Sequence, residues 1–121
     1  KCNKLKKEYA NEHNKKYDIT IHTRPDNMFH TDVNVNIENN TIEFGMCKSN
    51  ICDHFYIGKT DVIDKVANIY VELNRMFKCK INGVGAEHLM HHYINEQKIK
   101  IKKNKNSKNL VYYEWVKKHK K

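Results

Sequence analysis

The chain has 121 residues, of which 39% are apolar and 31% charged, and a formal net charge of +9 at pH 7. That length fits one domain with a real core, and no apolar run approaches the roughly 20 residues of a membrane span. The charge is not spread evenly: residues 98–121 hold ten lysines and one acid, Glu114, whereas residues 1–97 hold thirteen basic and thirteen acidic residues. The sequence is therefore read as a single domain over 1–121, with a neutral body (1–97) and a basic hairpin and tail (98–121).

From Lys4 to Lys16 the chain is charged, with Leu5, Tyr9 and His13 at spacing four, which predicts a short amphipathic helix. Tyr17–His22 alternates and carries β-branched residues, as strands do. A turn follows at Thr23–Asn27, where Pro25 and Asp26-Asn27 favour one. Val33, Val35 and Ile37 alternate with polar residues, Asn39-Asn40 suits a two-residue turn, and Ile42, Phe44 and Met46 alternate on the return. This pattern predicts a hairpin that covers a core on one face. Cys47–Asp53 is read as a loop, and His54–Lys59 as a further strand ended by Gly58.

Thr60 or Asp61 suits a helix cap, with acids in the first turn. Val62, Ile63, Val66, Ile69, Tyr70, Leu73, Met76 and Phe77 then recur at three- and four-residue steps, which predicts one long core helix over about 61–77. A break at Lys80–Gly85 precedes a second helix over about 86–96. In the tail, Ile99 and Ile101 alternate with lysines, and Leu110–Val116 is rich in β-branched and aromatic residues. Residues 98–116 are read as a basic C-terminal β-hairpin, with a loop at Asn104–Asn109. The fold class predicted is α+β: an antiparallel sheet of three to four strands packed on the long helix, then the second helix and the hairpin.

The cysteines are Cys2, Cys47, Cys52 and Cys79. Cys47, Cys52 and His54 form one local cluster, but their spacing matches no common zinc pattern, and packed thiols are the preferred reading over metal or disulfide. His88 and His92 share a helix face without the glutamate of the H-E-x-x-H arrangement, so no metalloprotease motif is formed. No catalytic residue, metal site or cofactor is assigned. An intracellular location is favoured, with secretion left open by the missing initial Met and the even cysteine count.

Phe55–Thr60, reading FYIGKT, resembles the second half of the GIY-YIG nuclease signature, with Gly45 eleven residues before Tyr56. The resemblance covers some 20 residues and implies phosphodiester cleavage. Met46 and Cys47 stand where the family has Ile and Tyr, and Lys65 is the nearest basic residue to its helical arginine. The order helix, three strands, helix over 4–77 also resembles a double-stranded-RNA-binding domain in outline, but Asp61 and Asp64 occupy the turn that would need a basic cluster. From Thr60 onward, the order helix, turn, helix, hairpin resembles a winged helix, with the basic hairpin as the wing.

The function expected is non-enzymatic nucleic-acid binding. Lys98, Lys100, Lys102, Lys103, Lys105 and Lys108 would line one ribbon face and its tip, Lys117 and Lys118 would extend the charge, and Tyr112 would stack on bases. The alternative is a protein-interaction module, such as an inhibitor, immunity or assembly protein, whose ribbon docks on an acidic partner. A nuclease or another thiol- or metal-dependent enzyme ranks below both. A homodimer is compatible with either leading reading.

Overall fold

A computed structural model describes residues 1–25, 27–29, 32–45, 51, 54–78, 85–104 and 110–111. In chain order the elements are helix α1 (Cys2–Glu12), strands β1 (Ile19–Thr23), β2 (Met28–Phe29), β3 (Thr41–Phe44) and β4 (Phe55–Lys59), helices α2 (Thr60–Ala67), α3 (Ile69–Lys78) and α4 (Ala86–Glu96), and strands β5 (Lys100–Lys103) and β6 (Leu110–Val111). The class is α+β. A four-stranded sheet runs in the order β1-β4-β3-β5, and β2 pairs with β6 as a separate ribbon.

The sheet is mixed, which corrects the expected all-antiparallel arrangement. β4 is antiparallel to both β1 and β3, but β5 lies parallel to β3, with Thr41 opposite Lys100 and Phe44 opposite Lys103. This pairing also corrects the C-terminal hairpin. Residues 100–103 pair with β3, while Leu110–Val111 pairs with Met28–Phe29, so these two arms do not pair with each other. Residues 112–116 lie outside the described residues. The hairpin that a winged helix would carry as its wing is therefore not formed by β5 and β6.

The physical reason lies at the edge of β3. Two asparagines fasten β5 there. Asn40, at φ +50, accepts from the Lys100 N–H through its carbonyl at 3.0 Å, and its side-chain amide donates to the Lys98 carbonyl at 2.9 Å. The Asn104 N–H donates to the Phe44 carbonyl at 2.9 Å at the far end. With that edge occupied, the segment 32–38 is not a strand, and the first arm of the expected 33–46 hairpin is absent. Val33 and Ile37 pack on Phe55 and Ile57 instead. β3 is consequently buried on both faces, not one.

Ile42, Phe44 and Tyr56 form the helix-side core with Val62, Ile63 and Val66 of α2, Ile94 of α4 and Ile99. The apolar periodicity over 62–77 belongs to two helices, and it does not face a core throughout, since Tyr70 and Phe77 are exposed. Val62, Ile63 and Val66 face the sheet, whereas Ile69 and Met76 pack on Tyr93 of α4. The two helices meet at Asn68, where the N–H reaches the Lys65 carbonyl three residues back in a tightened turn. Gly58 is the point where α2 comes close to the sheet: a Cβ there would lie 3.0 Å from Ile63 Cδ1 and 3.2 Å from the Thr41 carbonyl oxygen.

α4 occupies the expected 86–96, β4 lies within the expected 54–59, and β1 is shifted by one or two residues from 17–22. α1 forms, but no residue of it is buried, and Leu5 and Tyr9 are exposed. The spacing-four stripe thus does not face the core. Tyr9 instead stacks on His13 with ring centroids 4.0 Å apart, and Lys15 lies over the Tyr9 ring. Among the described residues, no helix is long and apolar enough to cross a membrane.

Candidate nucleic-acid interface

β5 forms because isoleucine alternates with lysine beside an open edge. Ile99 is buried and Ile101 half-buried against the helix-side core, and these two root the segment. Lys98, Lys100, Lys102 and Lys103 are all exposed. The expected separation of isoleucines from lysines is therefore present over 99–102, at the edge of the main sheet, and Lys103 departs from it.

The four lysines do not share one face. Register places Lys100 beside Thr41 and Lys102 beside Glu43, on the face away from the helices. Lys103 is beside Phe44, on the opposite face, and Lys98 precedes the strand at φ +55. Lys102 is committed to an ion pair with Glu38 at 2.5 Å. Lys105, Lys108, Tyr112, Lys117 and Lys118 lie outside the described residues.

Lysines on an edge strand also have a purely structural effect, because charge there discourages pairing with another chain. Two buried polar residues hold this edge in register. The Asn104 side-chain amide donates to Glu43 at 2.9 Å and to the Asn34 carbonyl at 3.1 Å. Sequence reasoning misses both. Alternation with Ile42 and Phe44 implies an outward Glu43, and Asn104 opens a polar stretch that reads as a loop. The Asn39-Asn40 pair, where asparagine tolerates positive φ, is the one local signal near this edge.

Two further charged clusters lie away from this edge. Arg75 on α3 donates from Nε to Glu72 at 2.6 Å and, in a two-pronged contact, from Nη1 and Nη2 to Glu96 on α4 at 3.3 and 2.9 Å. The hydrogen bond from Arg75 holds the Glu96 carboxyl below its ordinary range, and the same contact raises the guanidinium further. This pairing joins α3 to α4 outside the Tyr93 contact, and burial pushes the Tyr93 phenol up. His92 Nε2 lies 3.3 Å from Glu96, so it serves this surface network. The second cluster joins Lys6 and Lys7 of α1 to Asp64 of α2.

Gly58 and Tyr56, the residues carrying the nuclease resemblance, are occupied by packing: Gly58 admits α2, and Tyr56 stacks on His22 at 4.4 Å. Met46, Cys47, Cys52 and Cys79 lie outside the described residues, and Cys2 is an exposed thiol on α1.

Comparison of the chain with protein-family models, with curated proteins and with solved structures finds no match.

Proposed function

We propose that this chain is a non-enzymatic nucleic-acid-binding domain whose lysine-rich C-terminal part contacts the phosphate backbone. The observation that supports it is the coupling of charge to anchorage. The isoleucines of 99–101 sit against the core, while Lys100 and Lys103 extend from opposite faces of an edge strand. A segment that was merely lysine-rich would lack such a root. Lys105, Lys108, Lys117 and Lys118 follow it, with Glu114 the single acid of 98–121, and Tyr112 supplies a ring for base stacking. Each lysine that meets a phosphate releases counterions, so binding falls as salt rises.

The test is a fluorescence-anisotropy titration against labelled duplex DNA, single-stranded DNA and duplex RNA. Micromolar or tighter binding at about 50 mM salt is expected for at least one of them. The order of the three ligands then names the class.

A second reading has one observation in its favour. Among the described residues β5 is the last strand of the sheet, so its outer edge suits a partner's strand, and its lysines suit an acidic one. That reading expects a defined protein complex and little affinity for generic DNA or RNA.

A further inference from the structure

α1 does not bury its apolar residues: Leu5 and Tyr9 are exposed, and Lys4, Lys6 and Lys7, with Glu8, line a groove of about 750 Å³ between the helix and the body. Residues 1–16 hold six lysines and two glutamates, and within α1 itself Lys4, Lys6 and Lys7 stand against Glu8 and Glu12. No residue of α1 is buried, so core packing does not explain why the helix sits where it does. Its attachment is polar: Lys6 Nζ lies 2.6 Å from Asp64 and 3.4 Å from Thr20 Oγ1, and Lys7 lies 3.6 Å from Asp64.

The groove has two chemically different walls. Lysines of α1 form one. The other carries Ile63, Ala67 and Val71, and at its rim Tyr70, whose exposure is 72%. On the floor, His22 is stacked on Tyr56 with the ring planes 4° apart, which fixes the imidazole as a flat surface. Four lysines, Lys1, Lys4, Lys6 and Lys7, line the groove against one acid, Glu8, which leaves its lining with an excess of positive charge. Asp64 answers Lys6 and part of Lys7, and Lys4 lies 3.6 Å from Glu8 while its side chain remains 82% exposed. A ligand complementary to both walls carries negative charge on one side and a flat apolar ring on the other.

We infer that this groove takes one or two nucleotides of a single strand, with phosphates against Lys4 and Lys7 and a base against Tyr70 and His22. The inference rests on the nucleic-acid reading above and adds a second contact site. Among the described residues β1 and β5 are opposite edges of the sheet, three strand spacings apart, roughly 14 Å. A dinucleotide held at the groove therefore does not also engage β5.

The experiment is a titration of the full chain with the dinucleotide pTpT, followed by amide chemical shifts, with inorganic pyrophosphate as the parallel probe. Saturable shifts are expected at Lys4, Lys7, His22 and Tyr70, with those of β5 unmoved. Lys4→Gln combined with Tyr70→Ala is expected to weaken pTpT at least fivefold, and both side chains are exposed and take no part in the contact of α1 with Asp64. Pyrophosphate is expected to bind more weakly, and Tyr70→Ala is expected to leave its affinity unchanged. Three results would overturn the inference: no saturation by millimolar pTpT, shifts confined to β5, or equal affinity for pyrophosphate and pTpT. Failure here is distinct from failure of the β5 reading. In the first case long oligonucleotides still bind and lose affinity when β5 lysines are neutralised. In the second, pTpT saturates the groove while those β5 changes alter nothing.

Discussion

The side-chain amide of Asn104 donates to the carboxylate of Glu43 at 2.9 Å, between two residues that are 2% and 6% exposed. The contact ties the end of β5 to the middle of β3. It adds a buried polar tie to the anchorage that Ile99 and Ile101 supply in the core. Asn104→Ala removes a buried donor from a carboxylate and leaves a small void. A loss of about 1–3 kcal/mol is expected, read as a lower midpoint in urea unfolding at unchanged slope. A change within about 0.5 kcal/mol would mean that β5 is held without this pair.

Gly58 tests the packing of α2 on the sheet. The nearest atom to an added Cβ is Ile63 Cδ1, the end of a side chain, but the Thr41 carbonyl at 3.2 Å is backbone and yields less easily. Gly58→Ala is expected to destabilise the fold by about 1–3 kcal/mol through overpacking. Pairing it with Ile63→Val, which removes the atom nearest the new methyl, is expected to recover part of that loss. A Gly58→Ala variant as stable as the parent would show that the glycine has another purpose.

Asp64 holds α1 in place through Lys6 and Lys7, at side-chain exposures of 21–25% for Lys6 and Asp64 and 53% for Lys7. Because no residue of α1 belongs to the buried core, its release is expected to be local and to leave the core intact. Asp64→Ala is expected to speed hydrogen exchange across α1 amides at least tenfold while moving the protection of β3 and β4 little. Equal acceleration of both regions would show that α1 and the sheet open together.

The Arg75–Glu96 contact has a pH signature. Glu96 is lowered in the folded chain, chiefly by the Arg75 hydrogen bond, so the unfolded chain binds its proton first as pH falls. The contribution is complete above the ordinary glutamate range and is lost as pH drops through the lowered folded value. The midpoint difference between the parent and Glu96→Gln is therefore expected to shrink between about pH 6 and about pH 3. A difference that stays constant over that window would show that the contact does not depend on the carboxylate charge.

Much of the local structure is legible in the sequence because its causes are local. α4, β4 and β1 follow from periodicity and flanking turn residues within one short stretch. The break at Asn68 is not, since neither Gly nor Pro marks it; it arises because Val66 and Ile69 have different packing partners. The β3–β5 pairing joins segments almost sixty residues apart, and each has a nearer segment that looks like a suitable antiparallel partner. That one long-range choice explains several differences: 32–38 forms no strand, Glu43 is buried, and Lys100–Lys103 pairs with β3 and not with Leu110–Val111. The groove is illegible for a related reason. Spacing-four residues in α1 imply an inward apolar face, and ion pairs to Asp64 turn the helix the other way.

The central claim is that lysines of β5 and the residues after it bind phosphate, and its most direct test is the salt slope. We would compare the parent with a chain carrying Lys100→Gln, Lys103→Gln, Lys105→Gln and Lys108→Gln, leaving Lys102 because it pairs with Glu38. Duplex binding by the parent is expected to fall with salt at a log–log slope of several units, and the variant to lose about three units of that slope. No binding by the parent at about 50 mM salt, or identical slopes for the two chains, would contradict the claim and leave the acidic-partner reading in its place.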